Sequence, residues 1–86
     1  MDIVVSEHAK EEMARRGISR NILDEVLREP GQIVASYDGR KVYQSKFAPL
    51  GGKMYLIRVV VASDVSPPMV ITAYKTSQVG KYRRDH

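Results

Sequence analysis

Met54-Tyr55-Leu56-Ile57-Arg58-Val59-Val60-Val61-Ala62 is the run whose reading decides the fold. β-branched and aromatic residues crowd it, and they suit a pleated strand better than a helix. In a strand, successive side chains point to opposite faces. Ile57, Val59 and Val61 then share one face, which is wholly apolar and calls for a covering layer. Leu56, Arg58 and Val60 share the other, so a guanidinium stands on the open face of a central strand.

The flanking sequence supplies the partners. Ser63–Pro68 reads as a turn, and Met69–Lys75 as the last strand, with Met69, Ile71 and Ala73 facing the core and Val70, Thr72 and Tyr74 facing away. On the N-terminal side, Ala48–Gly52 is a loop. Before it, Gln32–Tyr37 and Arg40–Phe47 flank Asp38-Gly39, the dipeptide favoured in two-residue type I′ hairpins. Lys46 falls near the edge of the same surface as Arg58.

The first part of the chain reads as helical. Ser6 can cap a helix over 7–16, which Gly17 ends. Ser19 can cap a second over 20–29, where Ile22, Leu23, Val26 and Leu27 form a core-facing stripe and Pro30-Gly31 stops it. Asp2–Val5 is a candidate first strand. The expected fold is α+β: an N-terminal strand and a helical hairpin packed on one face of a three- to four-stranded antiparallel sheet. Residues 1–86 make a single domain.

Charge follows this division. Residues 1–38 hold five Lys/Arg and eight Asp/Glu, whereas residues 39–86 hold nine Lys/Arg and two Asp/Glu. The helical part is acidic, and the sheet and tail are basic. A cationic sheet attracts phosphate backbones and speeds their encounter. There is no cysteine and there are only two histidines, His8 and His86. Disulfides, thiolate metal sites and histidine clusters are therefore excluded, and no cofactor is implied. No apolar run approaches the roughly 18 residues of a membrane span. The N-terminus lacks a signal pattern, and the expected compartment is the cytoplasm.

Individual residues carry two readings each. Arg58 is either an exposed arginine whose stem packs over apolar neighbours or a phosphate ligand with fork geometry. Thr72 alone is an ordinary strand residue, and Tyr74 alone a packing ring. Arginine and tyrosine together hold unpaired RNA bases by charge and stacking. His8, Glu12 and Arg15 fall in one sector of the first helix. Spacing alone favours a surface pair of His8 with Glu12. Imidazole is also the usual proton-transfer group near neutral pH.

Two stretches add a resemblance. Ser6-Glu7-His8-Ala9 with Met13-Ala14-Arg15-Arg16-Gly17-Ile18-Ser19, and Val70-Ile71-Thr72-Ala73-Tyr74-Lys75-Thr76-Ser77 with Lys81-Tyr82, resemble a family of small bacterial proteins grouped with the RelE/ParE-like and BrnT toxins. The likeness covers nearly the whole chain. It implies a helical hairpin on an antiparallel sheet. It also implies a metal-independent endoribonuclease using basic and tyrosine residues on the open sheet face, with a cognate antitoxin protein as partner. The family's motif residues fall on His8, Arg16, Thr72, Tyr74, Lys81 and Tyr82. Two positions depart from it, with Glu12 and Gln78 standing where the family has basic residues.

The expected function is therefore that of a toxin-like ribonuclease. Its substrate would be RNA, including ribosome-bound mRNA. The catalytic candidates are His8, Arg58 and Tyr74. The RNA-binding candidates are Arg16, Lys46, Thr72, Lys75, Lys81, Tyr82 and Arg83. The alternatives are a non-catalytic module of the same fold that binds nucleic acid or protein, and an interaction protein that pairs through an exposed sheet edge.

Overall fold

The computed structural model describes residues 3–36, 38–48 and 52–79. Lys81, Tyr82 and Arg83 lie outside the described residues. The elements run β1 (Val4–Val5), α1 (Glu7–Arg16), α2 (Arg20–Arg28), β2 (Gln32–Ala35), β3 (Arg40–Phe47), β4 (Tyr55–Ala62) and β5 (Met69–Thr76).

Both helices start on the expected serines. Ser6 Oγ accepts from Ala9 N–H at 3.0 Å and Ser19 Oγ from Ile22 N–H at 3.2 Å. Each satisfies one of the donors that a helix N-terminus leaves without a backbone partner. Gly17 ends α1 in the left-handed region with φ 69°, as a C′ glycine does.

The sheet is larger than expected and is mixed. Five strands stand in the order β1-β5-β4-β3-β2, and β1 pairs with β5 in parallel. The remaining pairings are antiparallel. The parallel pair follows from topology: β1 leads directly into α1, and α1 carries the chain onward over β5. Val4 N–H donates to Pro68 O at 2.9 Å and Ser6 N–H to Val70 O at 3.1 Å.

The helices cover one face. Ala9 and Met13 of α1, Leu23 and Val26 of α2, and Ile18 between them bury against Ile57, Val59, Val61, Val70 and Ala73. The face assignment of β4 is as its alternation requires. That of β5 needs correction. Val61 pairs with Val70 but Val60 pairs with Thr72, so Ile71 is an extra residue. This bulge reverses the alternation N-terminal to it. Val70 enters the core and Met69 is 37% exposed, the opposite of the sequence expectation. Ala73, Thr72 and Tyr74, on the far side of the bulge, keep their expected faces.

The hairpin also departs from expectation. Asp38 and Gly39 both have positive φ, 57° and 72°, as a type I′ turn demands. However, Ser36 N–H bonds to Arg40 O and Ala35 pairs with Lys41, so the connection is one residue longer than a two-residue hairpin.

Candidate nucleic-acid interface

The face of the sheet turned away from the helices is built by the alternate residues of the four longer strands. One row crosses all four. Gln32 stands opposite Gln44, Gln44 opposite Arg58, and Arg58 opposite Tyr74. The side chains are linked along that row. Gln44 Nε2 donates to Gln32 Oε1 at 2.7 Å, Arg58 Nε donates to Gln44 Oε1 at 2.9 Å, and Arg58 Nη1 donates to Tyr74 Oη at 2.5 Å. The guanidinium carbon also lies 5.7 Å from the centroid of the Tyr74 ring, within cation–π range.

Burial makes this row rigid. Gln44 is 0% exposed, and among the described residues every buried side-chain polar atom has a partner. A fully satisfied polar chain in a low-dielectric setting fixes its members in one arrangement. Arg58 is therefore oriented by Gln44 from one side and by Tyr74 from the other. Because Arg58 occupies an acceptor position on Tyr74 Oη, the phenolic proton is left to be donated elsewhere.

The surroundings are basic. Arg40 and Lys46 lie on β3 at even spacing from Gln44, so they share its face, and both are exposed. None of the strand residues on this face is a carboxylate. Two apolar residues on it, Val42 and Leu56, are buried outside the main core cluster, with Leu56 at 0% exposure. The face is thus more enclosed than a bare sheet surface. Thr72 stands one row away from Tyr74, opposite Val60.

Other sequence candidates sit elsewhere. Lys75 alternates onto the helix-side face, where its Nζ lies 5.4 Å from the Tyr55 ring centroid. Arg16 is at the outer edge of β5. Its Nη1 donates to Ala73 O at 3.2 Å and pairs with Glu12 Oε1 at 2.8 Å. Together with Ser6 Oγ, which donates to Ile71 O at 3.3 Å, Arg16 caps carbonyls that β1 is too short to reach. These contacts give Arg16 a structural role in protecting a sheet edge.

His8 is not brought to the Arg58–Tyr74 pair. It is exposed on α1, in the helical layer, whereas the pair is on the opposite face of the sheet. No hydrogen bond or ion pair joins His8 to another described residue. The i+4 pairing with Glu12 does not form, because Glu12 is engaged by Arg15 and Arg16. Among the described residues no cluster of three His, Asp or Glu side chains is placed to hold a metal ion.

Gln32, Gln44 and Arg40 were not singled out from sequence. Arg40 follows from simple alternation with Lys46. The glutamines do not, because the pairing of Gln32 with Gln44 depends on the length of the hairpin connection. A two-residue turn would have set Gln32 opposite Ser45 and broken the row.

Most of the chain corresponds to one family. Residues 5–75 match DUF4258, described as a domain of unknown function, and the chain belongs to that family. No curated protein and no solved structure matches the chain. Among the described residues no helix is long and apolar enough to cross a membrane.

Proposed function

We propose that the protein is a toxin-like endoribonuclease of the cytoplasm, related to the RelE/ParE-like and BrnT toxins and paired with a cognate antitoxin protein. RNA, including ribosome-bound mRNA, lies on the sheet face that carries Arg58 and Tyr74. The observation that carries the reading is the Arg58–Tyr74 pair itself. A guanidinium and a phenol are locked together on a face whose described strand residues include further cations and no carboxylate. That donor set is suited to an anion: fork-shaped N–H groups for a phosphate, an aromatic ring for a base, and no like-charged group to repel the backbone.

In this reading cleavage proceeds by attack of the RNA 2′-hydroxyl on the adjacent phosphorus. The O2′–P bond forms, the P–O5′ bond breaks, and the 2′-hydroxyl proton passes to a base or to water. Arg58 holds the phosphate and stabilises the charge that builds on its oxygens. Tyr74 gives its proton to the departing 5′-oxygen. Lys46 and Arg40 extend the backbone track.

The test is incubation of the purified protein with end-labelled RNA, with and without translating ribosomes, in the presence of EDTA. Cleavage that survives EDTA and leaves 2′,3′-cyclic or 3′-phosphate ends supports the proposal. Salt-sensitive binding without any cleavage would instead favour a non-catalytic RNA-binding module on the same face. Absence of both would remove the nucleic-acid reading.

A further inference from the structure

β2 closes the sheet on the side away from β1, with β3 as its neighbour. Ser36 N–H donates to Arg40 O, and this bond fixes the phase of the β2–β3 ladder. In an antiparallel pair, residues that exchange both backbone bonds alternate with residues that exchange none. Val34 opposite Val42 and Gln32 opposite Gln44 are therefore bonded pairs, whereas Ile33 opposite Tyr43 and Ala35 opposite Lys41 are not. Ile33 and Ala35 turn their N–H and C=O groups away from β3, to the open edge. Their side chains are open as well: Ile33 is 50% exposed, and Ala35 is exposed. Edge strands are ordinarily blunted by charge, proline or a bulge. This one has none of these, since residues 31–36 carry no charge and no proline and the pairing with β3 runs without a register shift.

The pattern of edge groups is complementary to itself. Antiparallel pairing with a second β2, about a two-fold axis through Val34, sets Ile33 opposite Ala35 of the second copy and Ala35 opposite its Ile33. Both become bonded pairs, so the four edge groups of each copy find partners together. Across this seam the larger apolar side chain meets the smaller, and Ile33 is covered. Val34 meets its own counterpart at the non-bonded position on the axis, where side chains approach closest. No charge opposes its like among the paired residues. Gln32 of one copy faces Ser36 of the other. Glu29, at the end of α2, therefore approaches the start of β3, where Arg40 and Lys41 outnumber Asp38. A net acidic end meets a net basic one.

We infer that the protein forms a symmetric dimer through β2, joining two five-stranded sheets into one continuous sheet. The two-fold axis stands perpendicular to the sheet, so both helical layers lie on one side and both Arg58 faces on the other. Arg40 of the second copy then stands in line with Gln32, Gln44, Arg58 and Tyr74, and it lengthens that row with a further cation. A four-residue edge buries little area, so the dimer is weak and depends on concentration. The inference stands apart from the RNA reading, because the seam is defined by β2 alone.

The chain holds no cysteine, so a single introduced thiol reads the seam directly. In the dimer the two Val34 Cα atoms lie about 4.5 Å apart, the spacing of a non-bonded pair and within reach of a disulfide. Ile33 is offset by two residues from Ile33 of the second copy, beyond the roughly 7 Å limit, and Ala35 likewise. Oxidation of Val34→Cys is expected to give a covalent dimer, with at least about tenfold less from Ile33→Cys or Ala35→Cys. Sedimentation equilibrium of the wild type without RNA, from about 1 μM to about 1 mM, is expected to show monomer giving way to dimer. The double change Ile33→Glu with Ala35→Glu, at two exposed positions, sets carboxylate against carboxylate and weakens association about tenfold or more. Ile33→Lys with Ala35→Lys does the same. Mixing the two double variants restores association, which misfolded chains would not do. Monomer throughout the concentration range overturns the inference. So do crosslinks of equal yield at all three positions, crosslinks strongest at Ile33 or Ala35, and a mixture that fails to associate.

Discussion

Arg58 and Tyr74 stand directly opposite each other on adjacent strands, and the guanidinium donates to the phenolic oxygen at 2.5 Å. Gln44, opposite Arg58 on the other side, accepts from its Nε. One side chain is thus gripped from both neighbouring strands. An exposed arginine on a sheet ordinarily samples several rotamers, and ordering it to bind a phosphate costs entropy. Here that ordering is built into the sheet, so the proposed RNA contact starts from a preorganised group.

The first prediction concerns Gln44. Replacement by leucine keeps the volume but removes the bonds that Gln44 makes to Gln32 Oε1 and Arg58 Nε in a part-buried setting. Gln44→Leu is expected to cost about 1–3 kcal/mol of stability, the usual range for losing hydrogen bonds of which one is to a charged group. It should also weaken RNA binding through the loosened Arg58. Urea titration measures the first effect. A midpoint equal to that of the wild type would show that the row does not hold the sheet together.

The second prediction concerns phosphate contact. RNA affinity should fall steeply with salt, and Arg58→Ala should both lower it and flatten the salt dependence by about 0.7 for single-stranded RNA, the value of one phosphate contact. Arg58→Lys should not restore affinity fully, because an ammonium lacks the fork that meets Gln44 and Tyr74 together. Lys46→Ala should produce a smaller loss, and Lys75→Ala almost none, since Lys75 faces the helical side. Equal losses for Lys46 and Lys75 would mean that binding follows net charge and not this face.

Most of the architecture was legible in the sequence, and the parts that were not share one cause. The serine caps, the Gly17 stop and the stripe of α2 are local signals, and each formed where spacing put it. Arg58 was placed on the face away from the helices because its own strand has no irregularity. The faces of Met69 and Val70 were misread because a bulge at Ile71 depends on how β5 must meet both β4 and β1, which no local pattern encodes. The parallel pairing of β1 is a tertiary choice of the same kind. The glutamine row was invisible for a related reason: it exists only in one register of the β2–β3 hairpin. The motif that placed His8 among the catalytic candidates carries no information about distance, and the fold puts a sheet between His8 and Arg58.

The third prediction separates backbone strain from crowding. Gly17 and Gly39 both have positive φ, 69° and 72°. A Cβ at Gly17 would meet nothing within 4 Å, but one at Gly39 would lie 2.7 Å from Asp64 Oδ2. Gly17→Ala should therefore cost about 1 kcal/mol, the conformational penalty alone. Gly39→Ala should cost more. Adding Asp64→Gly to Gly39→Ala should recover the difference between the two. Thermal unfolding of the two single variants and the double mutant provides the comparison, and equal costs at both glycines would show that the Asp64 side chain moves aside freely.

The last prediction decides between the two groups able to transfer a proton. Tyr74 accepts from Arg58 and so keeps its own proton to donate, whereas His8 stands in the helical layer with no partner among the described residues. Tyr74→Phe removes only the hydroxyl and leaves the ring, so the stacking contribution to binding should survive. RNA cleavage by Tyr74→Phe should fall by about 10²–10⁴-fold, the usual worth of a positioned acid or base, with RNA affinity within about threefold of the wild type, since one neutral hydrogen bond contributes roughly 0.5–1.5 kcal/mol. His8→Ala should leave both cleavage and binding near wild-type values. The measurement is single-turnover cleavage of a labelled RNA with enzyme in excess, which separates chemistry from binding and product release. A large loss in His8→Ala with Tyr74→Phe intact would move the chemistry to the helical layer and the edge of β5. The sheet face would then be left as a binding surface only. Equal and large losses in both variants would require RNA to wrap the edge of β5 and meet both groups at once. The contact between Arg16 and Ala73 O on that edge would then lie in its path, and Arg16→Ala should change affinity as well.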